Sequence, residues 1–439
     1  MRAFAPTDRC RRFRLRDCVP SSSDWTPSPD CCANYFLGAT RKTQPFAICV
    51  LLCVTTVNSS AQSPQNDPVQ EAPIKIGVVG LAPTFSVTNL GVDTNVFYST
   101  TSPQSDFTVT GSPALGVWLR TQRGLLSVNG RIDLVYFNKF ASERSVNGFG
   151  SAGYEYRFNR LRPFFRFDAL NTRERPGYEI DIRARRFENT FTAGLDFRVA
   201  SKTFLALSGR RQHVNYAGDA VFSGQPLNQA FNRTLEAVDL TWRQHLTALT
   251  TWVVRASGER ERFEFEERRD GDSARVSTGF ELGRFALIRG QAFIGYRHLV
   301  GADGGELPEF SGATADVNVS YSAPSQTRLN LAINRDLQYS FEIESPYYVQ
   351  TGWTGTLTQR IIGRWDLQLS GGRDRLSYRG ISAIADRRDR IDRVGGGIGY
   401  QLRENRRVSF DVNSIQRQSE LPDHDYKALR AGVSVTYGF

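Results

Sequence analysis

The chain has 439 residues, is 40% hydrophobic and carries a formal net charge of +10 from 55 basic and 45 acidic residues. The basic residues are scattered, which argues against a nucleic-acid-binding surface. Beyond residue 60, no stretch approaches the roughly 20 consecutive apolar residues that a transmembrane helix needs. Composition therefore excludes a helical membrane protein after that point, and it leaves a soluble β-sandwich and a membrane β-barrel open.

The amino-terminal region contains the three parts of a secretory signal. Arg41 and Lys42 precede an apolar run from Phe46 to Val57, and small or polar residues follow up to Ala61. The run is too short to span a bilayer. This order predicts a signal peptide over residues 39–61, with cleavage after Ala61.

The segment before this signal, residues 1–38, has no periodic pattern and is interpreted as a non-native or disordered leader. Met1 is the only methionine, and Leu37 lies where an alternative start codon would place the signal normally. After the cleavage site, residues 62–81 are expected to form a tail, which is polar and proline-bearing up to Pro73. All six cysteines precede the cleavage site, so the mature chain is expected to hold no disulfide; they are Cys10, Cys18, Cys31, Cys32, Cys49 and Cys53.

The last eleven residues, Leu429 to Phe439, alternate strictly between two faces of a strand. One face is apolar and ends with Tyr437 and Phe439, whereas the other is small or polar. A strand of this kind at the end of the chain is typical of the closing strand of a membrane β-barrel. Tyr437 and Phe439 are therefore predicted to form its assembly signal. The segment Thr190 to Val199 shows the same alternation.

Short connections recur at a spacing of roughly 40 residues, which a hairpin of two membrane strands of about 9 to 11 residues and one longer loop explain. They begin at Thr121, Asn159, Ser201, Leu246, Gly283, Ala323, Ile362 and Arg403. The longer polar stretches are candidate outside loops: 171–181, 214–232, 259–272, 300–311 and 379–390. Sixteen strands joined by these turns, with one more at each end, predict an all-β, antiparallel, up-and-down transmembrane barrel over residues 82–439. The expected number is about 18 strands, with 16 as the alternative.

Aromatic residues near the ends of the predicted strands fit the two interfacial girdles of such a barrel. They are Trp118, Phe158, Trp242, Trp252, Trp365 and Tyr437.

No residue pattern indicates catalysis, a cofactor or a metal. The four histidines are far apart and lack ligand spacing, and the Asp423, His424, Asp425 cluster is interpreted as part of a solvated loop. The glycine-rich stretch Gly395 to Gly399 lacks the Lys-Ser/Thr of a phosphate-binding loop. Its glycines are expected to permit close approach and curvature of strands.

The alternation places charges of both signs on the inward face. Those predicted to line the lumen include Arg166, Asp168, Asp196, Arg198, Asp239, Arg243, Asp366 and Arg430. The expected arrangement is pairs within one strand: Arg166 with Asp168, Asp196 with Arg198, and Asp239 with Arg243. Rows of paired charges favour hydroxyl-rich solutes over ions of one sign. The alternative is that these charges only keep the lumen hydrated.

The first strands resemble the opening of the family known as β-barrel porin 2. The resemblance is carried by the D-x-N-V-F of Asp93 to Phe97, the S-D-F ending at Phe107, and Pro113-x-Leu115 at the start of a strand. It implies an outer-membrane barrel, in several members associated with exopolysaccharide production or export. It implies no catalytic residue.

The sequence thus predicts a bacterial outer-membrane barrel with a periplasmic amino end, which passes a polysaccharide or oligosaccharide and is not an enzyme. Two alternatives stay open: a general diffusion porin, and a non-conducting barrel whose outside loops bind glycans or proteins. The expected partners are outer-membrane lipid, the barrel assembly machinery and, for export, polysaccharide and periplasmic export components.

The predicted cleavage can be tested on the purified membrane form. Terminal sequencing is expected to find Gln62 at or near the amino end, and the denatured protein is expected not to react with a thiol reagent. A membrane form that still carries reactive thiols would contradict the proposed signal peptide.

Overall fold

The computed structural model describes residues 68–283, 286–302, 307–323, 326–381, 387–403, 405–421 and 424–438. The predicted leader, signal peptide and terminal Phe439 lie outside these residues. The strands are β1 (Ile74–Ile76), β2 (Val79–Asp93), β3 (Asp106–Arg120), β4 (Gly124–Phe137), β5 (Ser145–Tyr156), β6 (Leu161–Glu174), β7 (Ala184–Ala200), β8 (Thr203–Tyr216), β9 (Val221–Phe222), β10 (Gln225–Pro226), β11 (Arg233–His245), β12 (Thr250–Phe263), β13 (Gly271–Leu282), β14 (Ile288–Gly301), β15 (Phe310–Ser322), β16 (Thr327–Tyr339), β17 (Tyr347–Ile362), β18 (Trp365–Arg379), β19 (Arg388–Arg403), β20 (Arg406–Gln418) and β21 (Tyr426–Gly438). Two short α-helices, α1 (Pro68–Glu71) and α2 (Leu227–Phe231), and two 3-10 turns, Ala141–Glu143 and Glu267–Arg269, complete the described elements.

Eighteen of these strands, β2 to β8 and β11 to β21, form one antiparallel barrel. Each pairs with the next along the chain, and β2 also pairs with β21. The predicted fold class and the predicted number of eighteen strands are confirmed, and the alternative of sixteen is wrong. The barrel strands are 12 to 17 residues long, so they extend beyond the bilayer.

The connections are of two kinds that alternate along the chain. Eight are short, from the two residues between β7 and β8 to the five between β13 and β14, and they lie where the sequence predicts turns. The other nine are longer and lie at the opposite end of the barrel. Both ends of the sheet, the start of β2 and the end of β21, lie at the short-turn end, which is the periplasmic end in bacterial barrels.

Strand β7 shows how the alternation is used. Phe191 and Leu195 face outward and are 51% and 45% exposed, whereas their neighbours Thr192 and Asp196 are less exposed and face the lumen. Apolar side chains on the outer surface are what a lipid environment requires. Among the described residues, none of the helices is long and apolar enough to cross a membrane.

Trp118 departs from the predicted girdle. Its partners across the sheet, Gly80 and Ser127, are on the inner face, and its ring lies over Gly116, where a Cβ would come within 2.7 Å of the indole. The indole therefore lines the lumen. The prediction was wrong because position near a strand end does not decide the face, whereas strand register does.

The segment before the barrel is more structured than the predicted tail. β1 pairs with the start of β2, from Ile74 opposite Leu81 to Ile76 opposite Val79. Helix α1 lies on the inner face, because Gly80 leaves room for Val69 and Ala72, which are 7% and 5% exposed. The first barrel strand begins at Val79, three residues before the predicted boundary.

The seam between β2 and β21 closes the barrel. Their register shifts between Val87 and Leu90, where Asn89 has a left-handed φ of 54°. A Cβ on the neighbouring Gly91 would clash with the carbonyl group of Ala431. Glycine is therefore needed at position 91, beside a β-bulge that bends the first strand.

Side chains of the D-x-N motif strengthen this seam. Arg430 Nη2 donates to Asp93 Oδ2 at 2.5 Å, and Asp93 is 2% exposed. Asn95 Nδ2 donates to the carbonyl oxygens of Lys427 at 3.1 Å and Ser99 at 2.8 Å. The motif thus joins the first strand to the last by charge and hydrogen bonds, in addition to the backbone ladder.

Replacing Asp93 with alanine is expected to destabilise the barrel by about 1 to 3 kcal/mol, because the Arg430 guanidinium loses its carboxylate at the seam. The temperature at which folded barrel converts to the unfolded gel form should fall. The matched control is Asp168→Ala, since Asp168 faces the lumen without an ion-pair partner among the described residues. Equal transition temperatures in the two variants would contradict the role assigned to Asp93.

Candidate functional site

The inner wall of the barrel carries the charges predicted for it. Strand register puts the eight predicted lumen residues on the inner face. They are Arg166, Asp168, Asp196, Arg198, Asp239, Arg243, Asp366 and Arg430. Their partners, however, differ from the predicted ones.

Asp196 pairs with two other strands instead of with Arg198. Arg162 Nε on β6 donates to Asp196 at 3.0 Å, and Arg243 Nη1 on β11 lies 3.8 Å away. Arg198 donates to the carbonyl oxygen of Asn159 at 3.5 Å. Arg162 lies directly opposite Asp196 in the sheet, so its guanidinium bonds the carboxylate that was predicted to pair with Arg198.

Arg243 extends this contact into a ladder of charges. Its Nε lies 3.6 Å from Glu281 on β13, and Arg255 Nη2 on β12 donates to the same carboxylate at 2.8 Å. Arg243 reaches past β12 because the inward residue opposite it there is the small Val253. A continuous row of alternating charges therefore runs from β6 to β13.

A second row lies nearer the outer end. Glu259 is 3.7 Å from Arg210 and 3.2 Å from Arg297, and Arg297 also pairs with Asp336 at 3.1 Å. Arg275 completes the row at 2.7 Å from Asp336. Asp239, predicted to pair with Arg243, has no ion pair among the described residues. Arg210, Glu259, Arg275 and Asp336 were not among the predicted lumen residues, and Glu259 falls within a predicted outside loop.

Glycines on β18 and β19 let side chains of the two neighbouring strands meet across the strand between them. Arg407 on β20 donates to Asp366 on β18 at 2.7 Å, above Gly399 on the strand between them, where any Cβ would clash with the guanidinium. Arg393 likewise reaches Thr354 on β17 at 3.0 Å above Gly372. The Gly395 to Gly399 stretch was expected to permit close approach of strands. Its Gly399 also leaves space on the inner face for the Arg407 side chain of the neighbouring strand.

The wall formed by β2 to β6 has a different character. Trp118, Asn129, Arg131 and Phe149 line a shared pocket of about 500 Å³ there. Within the described part of the chain, the adjacent Arg166 and Asp168 form neither the predicted pair nor any other ion pair. Arg131 pairs with Asp133 on its own strand at 3.3 Å but remains 58% exposed, and Asn129 donates to Ser151 at 3.3 Å. Aromatic faces beside exposed polar groups allow this side of the lumen to contact a solute.

The outer mouth is narrowed by loops that fold inward. Residues 175–183, 217–232 and 340–346 share a small hydrophobic core with the outer ends of β7 and β8. Its members are Ile180, Ala184, Val214, Tyr216, Ala220, Leu227, Phe231 and Phe341. A core of this kind above the lipid level holds the loops in one arrangement.

Glu179 connects the loops at the centre of this mouth. Its carboxylate accepts hydrogen bonds from Ser340 Oγ at 2.7 Å and from the backbone N–H of Phe341 at 2.8 Å. Arg387 Nη2, from the loop before β19, lies 3.8 Å away. Burial raises the pKa of Glu179 to about 7, although these neighbours act in the opposite direction.

Two further arginines, Arg269 and Arg417, link the loops at the outer mouth. Arg269 donates to the carbonyl oxygens of Ser340 at 2.6 Å and Phe341 at 3.0 Å. Arg417 on β20 pairs with Asp389 at 2.8 Å and donates to the carbonyl oxygen of Glu179 at 3.3 Å. Arg269 also donates to the carbonyl oxygen of Ala230 in the loop 217–232, at 3.2 Å. Five of the nine longer loops therefore meet through polar contacts. No sequence pattern indicates this cluster, because its members are spread over more than two hundred residues.

No group of three or more histidine, cysteine or acidic side chains that could hold a metal ion occurs in the described ranges. His213, His245 and His298 each hydrogen-bond a Thr or Ser hydroxyl, at 3.0, 2.7 and 2.7 Å.

Three solved structures align with most of the chain at low identity. A BenF-like porin from Pseudomonas fluorescens Pf-5 covers 83% of this chain and 99% of its own, with 7% identity and a TM-score of 0.48. OpdK from Pseudomonas aeruginosa, solved with vanillate, covers 82% and 98%, with 10% identity and a TM-score of 0.46. The siderophore receptor PirA from Pseudomonas aeruginosa covers 82% and 80%, with 10% identity and a TM-score of 0.36. No curated protein matches the sequence.

The sequence also matches a protein family described as "Putative beta-barrel porin 2" over residues 67–439. The match includes every barrel strand and the D-x-N motif that ties the seam. A porin-like barrel in the outer membrane follows from this family and from the closed sheet. The chain therefore belongs to the putative beta-barrel porin 2 family.

Proposed function

We propose that this barrel passes oligosaccharide or polysaccharide chains across the outer membrane without acting on them chemically. The observation that carries the proposal is the Trp118 indole on the inner wall, with Asn129 and Arg131 in the same pocket. Sugars present apolar C–H faces and hydroxyl edges, which an aromatic ring and amide or guanidinium groups match.

The charges of the lumen support the same class of solute. The two rows from β6 to β16 alternate in sign, so they offer many hydrogen-bonding groups without a strong field of one sign. A lumen that selects small anions or cations would carry an excess of the opposite charge. An uncharged or mixed-charge hydroxyl-rich chain fits this wall better.

The inward-folded loops favour a controlled passage over a permanently open diffusion pore. A barrel of about 18 strands is wide enough for an aqueous channel, and here five loops meet across its mouth through Glu179 and the arginines around it. Passage of a chain requires these loops to move apart. For export, periplasmic components would deliver the chain, and the barrel assembly machinery would insert the protein.

Sugar binding in the lumen is tested by the Trp118→Ala variant. Neutral oligosaccharides of graded length should interrupt the ion current through the wild type in planar bilayers. The variant should bind them about threefold to tenfold more weakly, because it loses one aromatic contact.

The control is Trp365→Ala, since Trp365 faces lipid and is 50% exposed. Its sugar affinity should equal that of the wild type. A conducting barrel that no sugar interrupts would favour the general diffusion porin. A barrel that conducts under no condition would favour the non-conducting alternative, and hydrolysis of a sugar would contradict the proposal.

The mouth should close at acidic pH. Glu179 binds its proton more tightly when buried in the closed loops, with a pKa of about 7, than when exposed. Protonation therefore stabilises closure, and this stabilisation is lost as the pH rises through about 7. Bilayer current should be lower at pH 5 than at pH 8.

The Glu179→Gln variant should show a much smaller difference between these two pH values, because glutamine does not titrate. Glu309→Gln, which changes a largely exposed carboxylate in a different loop, should behave as the wild type. An unchanged pH dependence in Glu179→Gln would assign the gating to another group.

A further inference from the structure

The outer face of β18 and β19 carries an unusual concentration of arginine toward the outer end of the barrel. Arg373, Arg375, Arg388 and Arg390 are exposed there, and strand register places them all on the outside. Among the described outward residues of these two stretches, Asp392 is the only acidic one, and Glu420 lies beside Arg388 just after β20. These four arginines are called the outer arginine patch.

The patch begins where the lipid-facing surface ends. The outward residues nearer the membrane centre on the same strands are Leu369, Val394 and Ile398, which are 48%, 67% and 51% exposed. Trp353 on β17 lies beside Arg373 in the sheet and marks the interface, as aromatic girdles do. The longer loops follow on the far side, so the patch lies at the headgroup level of the outer leaflet.

The charges of the patch are only partly neutralised within the protein. Asp392 is shared by Arg373 and Arg390, with a distance of 2.6 Å to each. Arg375 has no acidic partner in the described part of the chain, although it lies directly opposite Arg390. Like charges at directly opposite positions destabilise a sheet. An anion bound from outside the chain would reduce this repulsion between the arginines.

Arg388 adds a fourth guanidinium without a partner of its own among the described side chains. Its backbone N–H donates to Glu420 at 3.0 Å, which is a contact of the main chain. Next to the patch on β20, Gln416 and Gln418 face outward opposite Asp392 and Arg390. Their amide groups can donate to and accept from hydroxyl groups.

Another part of the outer face shows how a charged row is balanced within the chain. Arg211, Glu236, Arg260 and Asp272 lie side by side on four successive strands and alternate in sign. The separations are 3.6 Å for Arg211 and Glu236 and 3.8 Å for Arg260 and Asp272. The outer arginine patch lacks such alternation, so it is a specific feature and not a general property of the outer rim.

We infer that the outer arginine patch binds the phosphate groups of a phosphorylated glycolipid in the outer leaflet. Guanidinium groups form paired hydrogen bonds with phosphate oxygens. The flanking glutamines suit the sugar part of the headgroup, and the apolar wall below suits its acyl chains. The patch faces away from the lumen, so a chain in transit does not reach it.

The test uses the full-length barrel purified in a detergent micelle, with diphosphoryl lipid A as the probe. Bound lipid is counted by native mass spectrometry, and its affinity is obtained by titration. The Arg375→Gln/Arg390→Gln double variant should bind at least tenfold more weakly than the wild type. The matched control, Arg211→Gln/Arg260→Gln, removes two outward arginines from the balanced row and should change the affinity less than twofold.

Three further results separate the possible sources of binding. Dephosphorylated lipid A should bind weakly, and equal binding would overturn the inference by showing that the apolar wall alone suffices. Millimolar inorganic phosphate should not displace the lipid, and full displacement would reassign the patch to a free phosphate ion. Equal loss of affinity in both double variants would show a general effect of surface charge and would also overturn it. Unchanged folding of the variants is checked by the heat-induced gel shift.

Discussion

The absence of water in the membrane interior is the constraint on which the rest of this structure depends. Every backbone N–H and C=O group at that depth must be bonded within the protein, and a sheet achieves this only when its first and last strands meet. Here the meeting requires a bulge at Asn89 and a glycine at position 91. The contact of the buried Asp93 with Arg430 then joins the two strands. The D-x-N motif of Asp93 to Asn95 therefore acts at the closure of the barrel.

The closed, wide barrel determines which side chains can occupy its interior and what they bond with. A wide barrel has no packed core in its lumen, so its inward side chains must bond with one another or with water. Small residues on one strand leave room for charges of its two neighbours to meet, as Gly399 does for Arg407 and Asp366. The resulting rows link the wall from β6 to β16. The side with Trp118 and Phe149 lacks such a row, and it is free to contact a solute.

The outer mouth follows a different principle, because water reaches it. Loops that are far apart in sequence bury Leu227, Phe231 and Phe341 together, as a small soluble domain would. Glu179 joins them through partners that an ionised or a neutral carboxyl can use. The same burial that holds the loops together raises the pKa of Glu179, so the closed arrangement is coupled to proton binding.

The sequence by itself determined the barrel, its eighteen strands and the inward face of residues such as Asp196 and Arg243, because a period of two residues fixes the face of each strand. It did not determine which of the inward charges pair with one another. Asp196 contacts Arg162 and Arg243, and this depends on which strands are adjacent and on how small the residues between them are. The inward position of Trp118, the packing of helix α1 on the inner wall and the meeting of the loops at Glu179 were likewise decided only by the tertiary structure. Loop packing brings together residues that are far apart in the sequence, and no local pattern indicates that they meet.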